Sequence, residues 1–158
     1  MRNNIFTSSA FGLTSGVVTT LGLIVGLASG TDSRLAVIGG IITIAIADAF
    51  SDALGMHIAR ESEKNKTNKE VWEATFFTFI TKFFVALTFV VPVIFFELNW
   101  AVIISIVWSL FLLFLLSYVL AQTKKEKLFN IAVEHLLIAL FVVAVTHYLG
   151  LVIKSFFN

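Results

Sequence analysis

Three residues in one apolar run have types and spacing that could do chemistry together. They are Asp48, Asp52 and Met56, within the stretch from Ile44 to Arg60. On a helix turning 100° per residue they fall within about 80° of one another. Oxygen ligands alone would suit magnesium or calcium, whereas a thioether beside them tilts the set toward a softer first-row ion such as ferrous iron. Carboxylates taken out of water also favour their protonated form, which makes such groups natural proton carriers. Ionisable groups in hydrocarbon are costly and default to function. The bland account is a structural ion pair between one aspartate and Lys82 further along the chain. It weighs less, because one lysine cannot neutralise two carboxylates. His57 points roughly opposite the stripe and reads as a packing or interfacial residue, although a neutral imidazole can bind metal. His135 and His147 lie more than three turns apart, a separation that does not support paired haem ligation.

The elements that must hold this stripe are apolar almost throughout. The chain has 158 residues, 58% of them hydrophobic and 13% charged, with a mean hydropathy of +0.96. A soluble domain would be roughly half apolar and about a quarter charged. The expectation is therefore a single all-α transmembrane domain over residues 1–158. Its five helices are expected at about 10–30, 35–60, 74–98, 101–121 and 129–156, each long enough to cross about 30 Å of hydrocarbon. No cysteine is present, so disulfides and thiolate metal sites are excluded. The charges form no basic stripe, which argues against nucleic acid as a partner. A cleavable signal peptide is not expected, since the first apolar run is long and lacks a small-x-small cleavage pattern.

Lysines and arginines set the orientation. Arg2, Arg60, Lys64, Lys66, Lys69, Lys124, Lys125 and Lys127 fall on one side of a five-span topology, against Arg34 and Lys154 on the other. The positive-inside rule then predicts a cytoplasmic N-terminus and a C-terminus outside. Glu61, Glu63 and Glu73 gather at the cytoplasmic ends of the second and third spans and read as an acidic vestibule that concentrates cations. Glu70 and Glu126 read more simply as solvated loop charges. In the first span, Ser15 and Thr19 share a side, and Gly22, Gly26 and Gly30 recur at four-residue spacing. That spacing fits a homodimer face about as well as close packing within one subunit, and the expectation is a homodimer through this first helix.

Several stretches together resemble the vacuolar iron transporter family. Ser15 to Gly26 (SGVVTTLGLIVG) is similar to its first helix, Ala53-Leu54-Gly55-Met56 to the Ala-Leu-Ser-Met of its second, Val91-Pro92-Val93 to the Val-Pro-Leu of its third, and Ala144 to Gly150 to the end of its fifth. The resemblance implies a homodimer of five-helix subunits with a pathway at the dimer interface. It also implies export of ferrous iron, often manganese, from the cytosol in exchange for protons. Met56 then falls on the family's metal-binding methionine and Asp48 on its second-helix acidic residue. Two departures stand out. Ser15-Gly16 replaces an Asp-Gly, and Asp52 stands where a small residue is usual, as though the acidic group had moved from one helix to the next. The long glutamate-rich insertion of plant members is reduced to about a dozen polar residues after Arg60.

The expected activity is transport of divalent transition metal, ferrous iron first and manganese second, out of the cytosol by proton antiport. Asp48, Asp52 and Met56 would be ligands, Ser15 and Thr19 would contribute hydroxyls, and no permanently bound cofactor is expected. The protein is not expected to be an enzyme. A cell membrane would house it in a prokaryote and a vacuolar-type membrane in a eukaryote. A passive metal or ion channel is an alternative. Another is a metal-dependent membrane enzyme of the phospholipid alcohol-phosphotransferase kind, although its Asp-Gly-x-x-Ala-Arg motif is missing. An intramembrane aspartyl protease would need its two aspartates on separate helices.

Overall fold

The computed structural model describes residues 2–157, leaving out the side chains of Arg2 and Asn3. Every regular element among them is a helix: α1 (Arg2–Thr31), α2 (Arg34–Glu61), α3 (Asn68–Thr88), α4 (Val90–Phe95), α5 (Leu98–Lys124) and α6 (Leu128–Phe157). Together α3 and α4 make one span, so five stretches are long and apolar enough to cross a membrane. The chain is an all-α integral membrane protein.

The break in the third span has a local cause. Pro92 has no N–H, so the Thr88 carbonyl loses its helical partner, and the ring crowds the preceding turn. Phe89 serves as both the last cap of α3 and the first of α4, its N–H reaching the Ala86 carbonyl at 3.1 Å. The helices otherwise outrun the apolar stretches that mark them. α3 starts at Asn68 because Thr67 and Glu70 form a capping box, with Glu70 N–H donating to Thr67 Oγ1 at 3.3 Å and Thr67 N–H to Glu70 Oε2 at 3.1 Å. α2 starts behind Ser33, whose hydroxyl accepts from Ala36 N–H at 3.2 Å.

α1 is the hub, packing against α2, α3, α5 and α6. Its Val17, Leu21, Ile24 and Val25 are at most 2% exposed and centre the apolar core with Ile41, Phe89 and Leu113. Two sets of small residues let backbones approach α1. Toward α3, a Cβ on Gly12 would stand 2.6 Å from the Thr78 carbonyl oxygen, and one on Gly16 would stand 3.3 Å from Lys82 Cγ. Toward α6, Gly22 faces Val142 and Thr146, Gly26 faces Thr146, and Gly30 faces Gly150. The four-residue glycine repeat is therefore closed inside one chain. Against α6, Gly22 is buried and Gly26 and Gly30 are half-buried.

Candidate functional site

The local sequence of α2 sorts its side chains into four lines, each stepping by four residues around a 3.6-residue turn. Ala45, Ala49 and Ala53 are buried against the bundle. Ile46, Phe50, Leu54 and Ile58 are exposed and large, as a lipid-facing side should be. Gly39, Thr43, Ala47, Ser51, Gly55 and Ala59 form a third line, small and exposed. Asp48, Asp52 and Met56 make the fourth, half-buried, between the buried alanines and the small open line.

Lys82 of α3 meets that acidic line from below. Its Nζ lies 2.6 Å from Asp48 Oδ2, 2.5 Å from Asp52 Oδ2 and 2.9 Å from Ser15 Oγ of α1. Two of the three ammonium donors go to Asp52 Oδ2 and Ser15 Oγ, and Asp48 Oδ2 stands beside them as an ion-pair partner. The lysine is 1% exposed, while the side chains of Asp48 and Asp52 are 31% and 20% exposed. The cation is thus sealed inside and the anions face outward along its rim. Gly16 makes this geometry sterically feasible, because any larger residue there would press on the Lys82 stem.

The expected site residues divide accordingly. Asp48, Asp52 and Ser15 are brought together, on Lys82. Met56 continues the line a turn beyond and takes no part in the ion-pair cluster. Thr19 is exposed on the Ser15 side of α1, but its hydroxyl donates to the Ser15 carbonyl at 2.8 Å rather than toward the aspartates. Among the described residues, no group of three or more His, Cys, Asp or Glu converges as a metal site. Within one chain the available oxygens are the two carboxylates and the Ser15 hydroxyl.

No family model matches the chain, and no curated protein does. The site therefore has to be read from its own chemistry.

At the basic end of the bundle the vestibule glutamates are partly engaged. Glu63 pairs with Arg60 at 2.8 Å and Lys66 at 3.8 Å, and Glu73 pairs with Lys69 at 3.9 Å. Glu73 Oε2 is nonetheless buried without a hydrogen-bond partner. Glu61 is exposed. The histidines are each tied to a hydroxyl on another helix: His57 Nδ1 to Thr75 at 2.9 Å, His135 to Ser117 at 2.8 Å and His147 to Ser29 at 2.6 Å. His57 also sits edge-on to Trp72, in a packing role. The groove beside it, about 370 Å³, runs between α2 and α3 and is lined by apolar side chains such as Phe50, Leu54 and Phe76. It does not include the carboxylates, and its chemistry is that of a lipid-facing cleft.

The part played by Lys82 is larger than its position in the sequence suggests. Its charge in an apolar run was a signal, yet nothing in the spacing reveals that α3 presents it to both aspartates at once.

Proposed function

We propose that the chain is one subunit of a homodimeric carrier for divalent transition metal, ferrous iron first and manganese second. It would run from the cytosol outward in exchange for protons, with a cytoplasmic N-terminus and an external C-terminus. The observation that carries the reading is the Asp48–Asp52 pair. Two carboxylates sit deep in an apolar helix, partly open to one side, with a single lysine between them. Two negative charges against one positive leave an excess of one, which a cation from outside can balance. A bilayer span retains such an excess only at a cost that transport chemistry explains and packing does not.

The small line of α2 supports the dimer. Gly39 and Gly55 have nothing within 4 Å of where a Cβ would stand, and the line borders the aspartates. Small residues at four-residue spacing allow close helix approach in a membrane. A second copy seated there about a two-fold axis would face one acidic pair with another, supplying the ligands a single chain lacks. Met56 would add its sulfur from the acidic line, and the likeness to vacuolar iron transporters at Ala53–Met56 favours that role. Glu61, Glu63 and Glu73 would attract cations to the cytoplasmic mouth.

Manganese uptake into proteoliposomes, with and without a pH gradient, tests the reading. The wild type should respond to the gradient, and Asp48→Asn and Asp52→Asn should each lower uptake by about tenfold or more, the scale of losing one charged partner. Uptake indifferent to both mutations and to the gradient would overturn the carrier. Uptake sensitive to the mutations but not to the gradient would point instead to a passive conductor.

A further inference from the structure

We propose that Lys82 is a tethered surrogate cation that reserves the carboxylate pair for divalent ions by excluding monovalent ones. This rests on the reading of Asp48 and Asp52 as cargo ligands and adds the group that sets their selectivity. The Lys82 ammonium is held by three oxygens, from Asp48, Asp52 and Ser15, at 2.5–2.9 Å, and is 1% exposed. Those oxygens come from two helices other than its own, which is the arrangement of a bound cation rather than of a side chain folded onto its own helix. It differs from a free ion in being attached.

Attachment decides the competition. A potassium or sodium ion brings the same single charge but must give up its translational freedom and part of its hydration shell, whereas the ammonium is already held in place by the α3 backbone. At equal charge the tethered group wins. A divalent ion doubles the Coulomb attraction to each carboxylate at the same distance, which can repay the displacement of the ammonium. The displaced ammonium stays on the protein and repels the newcomer, so Lys82 also weakens divalent binding. Selectivity against the abundant monovalent ions is gained by giving up some affinity for the cargo.

The test is manganese binding to the full chain in detergent, read from loss of the free-ion electron paramagnetic resonance signal. Potassium chloride is compared with N-methylglucamine chloride at equal ionic strength. Wild-type binding should be the same in both salts. Lys82→Gln should bind manganese about tenfold tighter in N-methylglucamine, a modest share of the Coulomb interaction removed, and should weaken several-fold in potassium. A merely structural lysine would give a less stable protein without a new potassium dependence. Folded Lys82→Gln with wild-type affinity and no potassium effect therefore overturns the proposal. Should Lys82→Gln fail to fold, the double variant Asp52→Asn, Lys82→Met restores the wild-type net charge of the cluster. Potassium sensitivity in that variant supports the proposal, and insensitivity overturns it. Manganese binding untouched by Asp48→Asn removes the cargo reading itself, whereas loss in Asp48→Asn with an unchanged Lys82→Gln removes only the role of Lys82.

Discussion

The lines of small residues on α1 toward α6 and on the open side of α2 have opposite fates. On α1, Gly22, Gly26 and Gly30 are covered by α6, where Gly150 brings the backbones close. On α2, Gly39, Thr43, Ala47, Ser51, Gly55 and Ala59 share the same four-residue step and remain uncovered. The closed line lies away from the charged cluster. The open one borders Asp48 and Asp52. Close packing without bulky side chains thus serves cohesion in one place and leaves a contact surface beside the ion pair in the other, and the difference can be tested from both sides.

The largest expected effect is at the closed seam. A Cβ on Gly150 would stand 2.6 Å from the Gly26 carbonyl oxygen and 2.8 Å from Ser29 Cβ, and neither belongs to a flexible side-chain end. Gly150→Val should push α6 off α1 at a cost of about 1–3 kcal/mol or more, as overpacking does. Thermal unfolding followed by size-exclusion recovery should show a clear drop in stability. An unchanged midpoint would mean that α6 can shift away from α1 at this seam without loss of stability. Gly12→Val should behave in the same way at the α1–α3 contact, where the obstacle is the Thr78 carbonyl.

Next comes the open line. Gly55→Leu has free space around it, so the folded subunit should keep its stability to within about 0.5 kcal/mol, as surface changes do. If a second copy packs there, the same change should shift the protein from dimer to monomer in mass photometry or light scattering, and manganese uptake should fall with it. A dimer that survives both Gly55→Leu and Ser51→Leu would place the contact elsewhere.

How much of this was legible in the sequence follows from what each signal encodes. Hydrophobic runs marked the five spans because lipid contact demands them, but helix ends are set by caps. The third helix therefore starts at Asn68, where Thr67 and Glu70 cap it, rather than near Ala74. The i, i+4, i+8 spacing placed Asp48, Asp52 and Met56 on one line because that is local geometry. The partner of the aspartates was not local. Lys82 reaches them only because Gly12 and Gly16 let α3 lie close under α1, a tertiary fact that no spacing within α2 contains. The α1 glycines were ambiguous for a related reason. Such a repeat says that something comes near, not whether it belongs to the same chain.

The smallest effect should come from Thr19, and it sharpens where the site ends. Its hydroxyl bonds to the carbonyl of Ser15 one turn back and is exposed, so it is already satisfied without a ligand. Thr19→Val keeps the shape and removes only that hydroxyl. A group satisfied by its own helix contributes little to stability, since Thr back-bonding to the i−4 carbonyl is close to neutral or slightly destabilising. Thr19→Val should therefore leave thermal stability unchanged, and manganese uptake should fall by no more than about twofold, under 0.5 kcal/mol. Ser15→Ala is the contrasting change, because it takes one of the three oxygens from the Lys82 ammonium. Removing one partner of a buried charge costs about 1–3 kcal/mol. A larger loss of transport in Thr19→Val than in Ser15→Ala would mean that the Thr19 hydroxyl turns from its own helix toward the aspartates during transport, so that the pathway extends along α1 beyond the lysine.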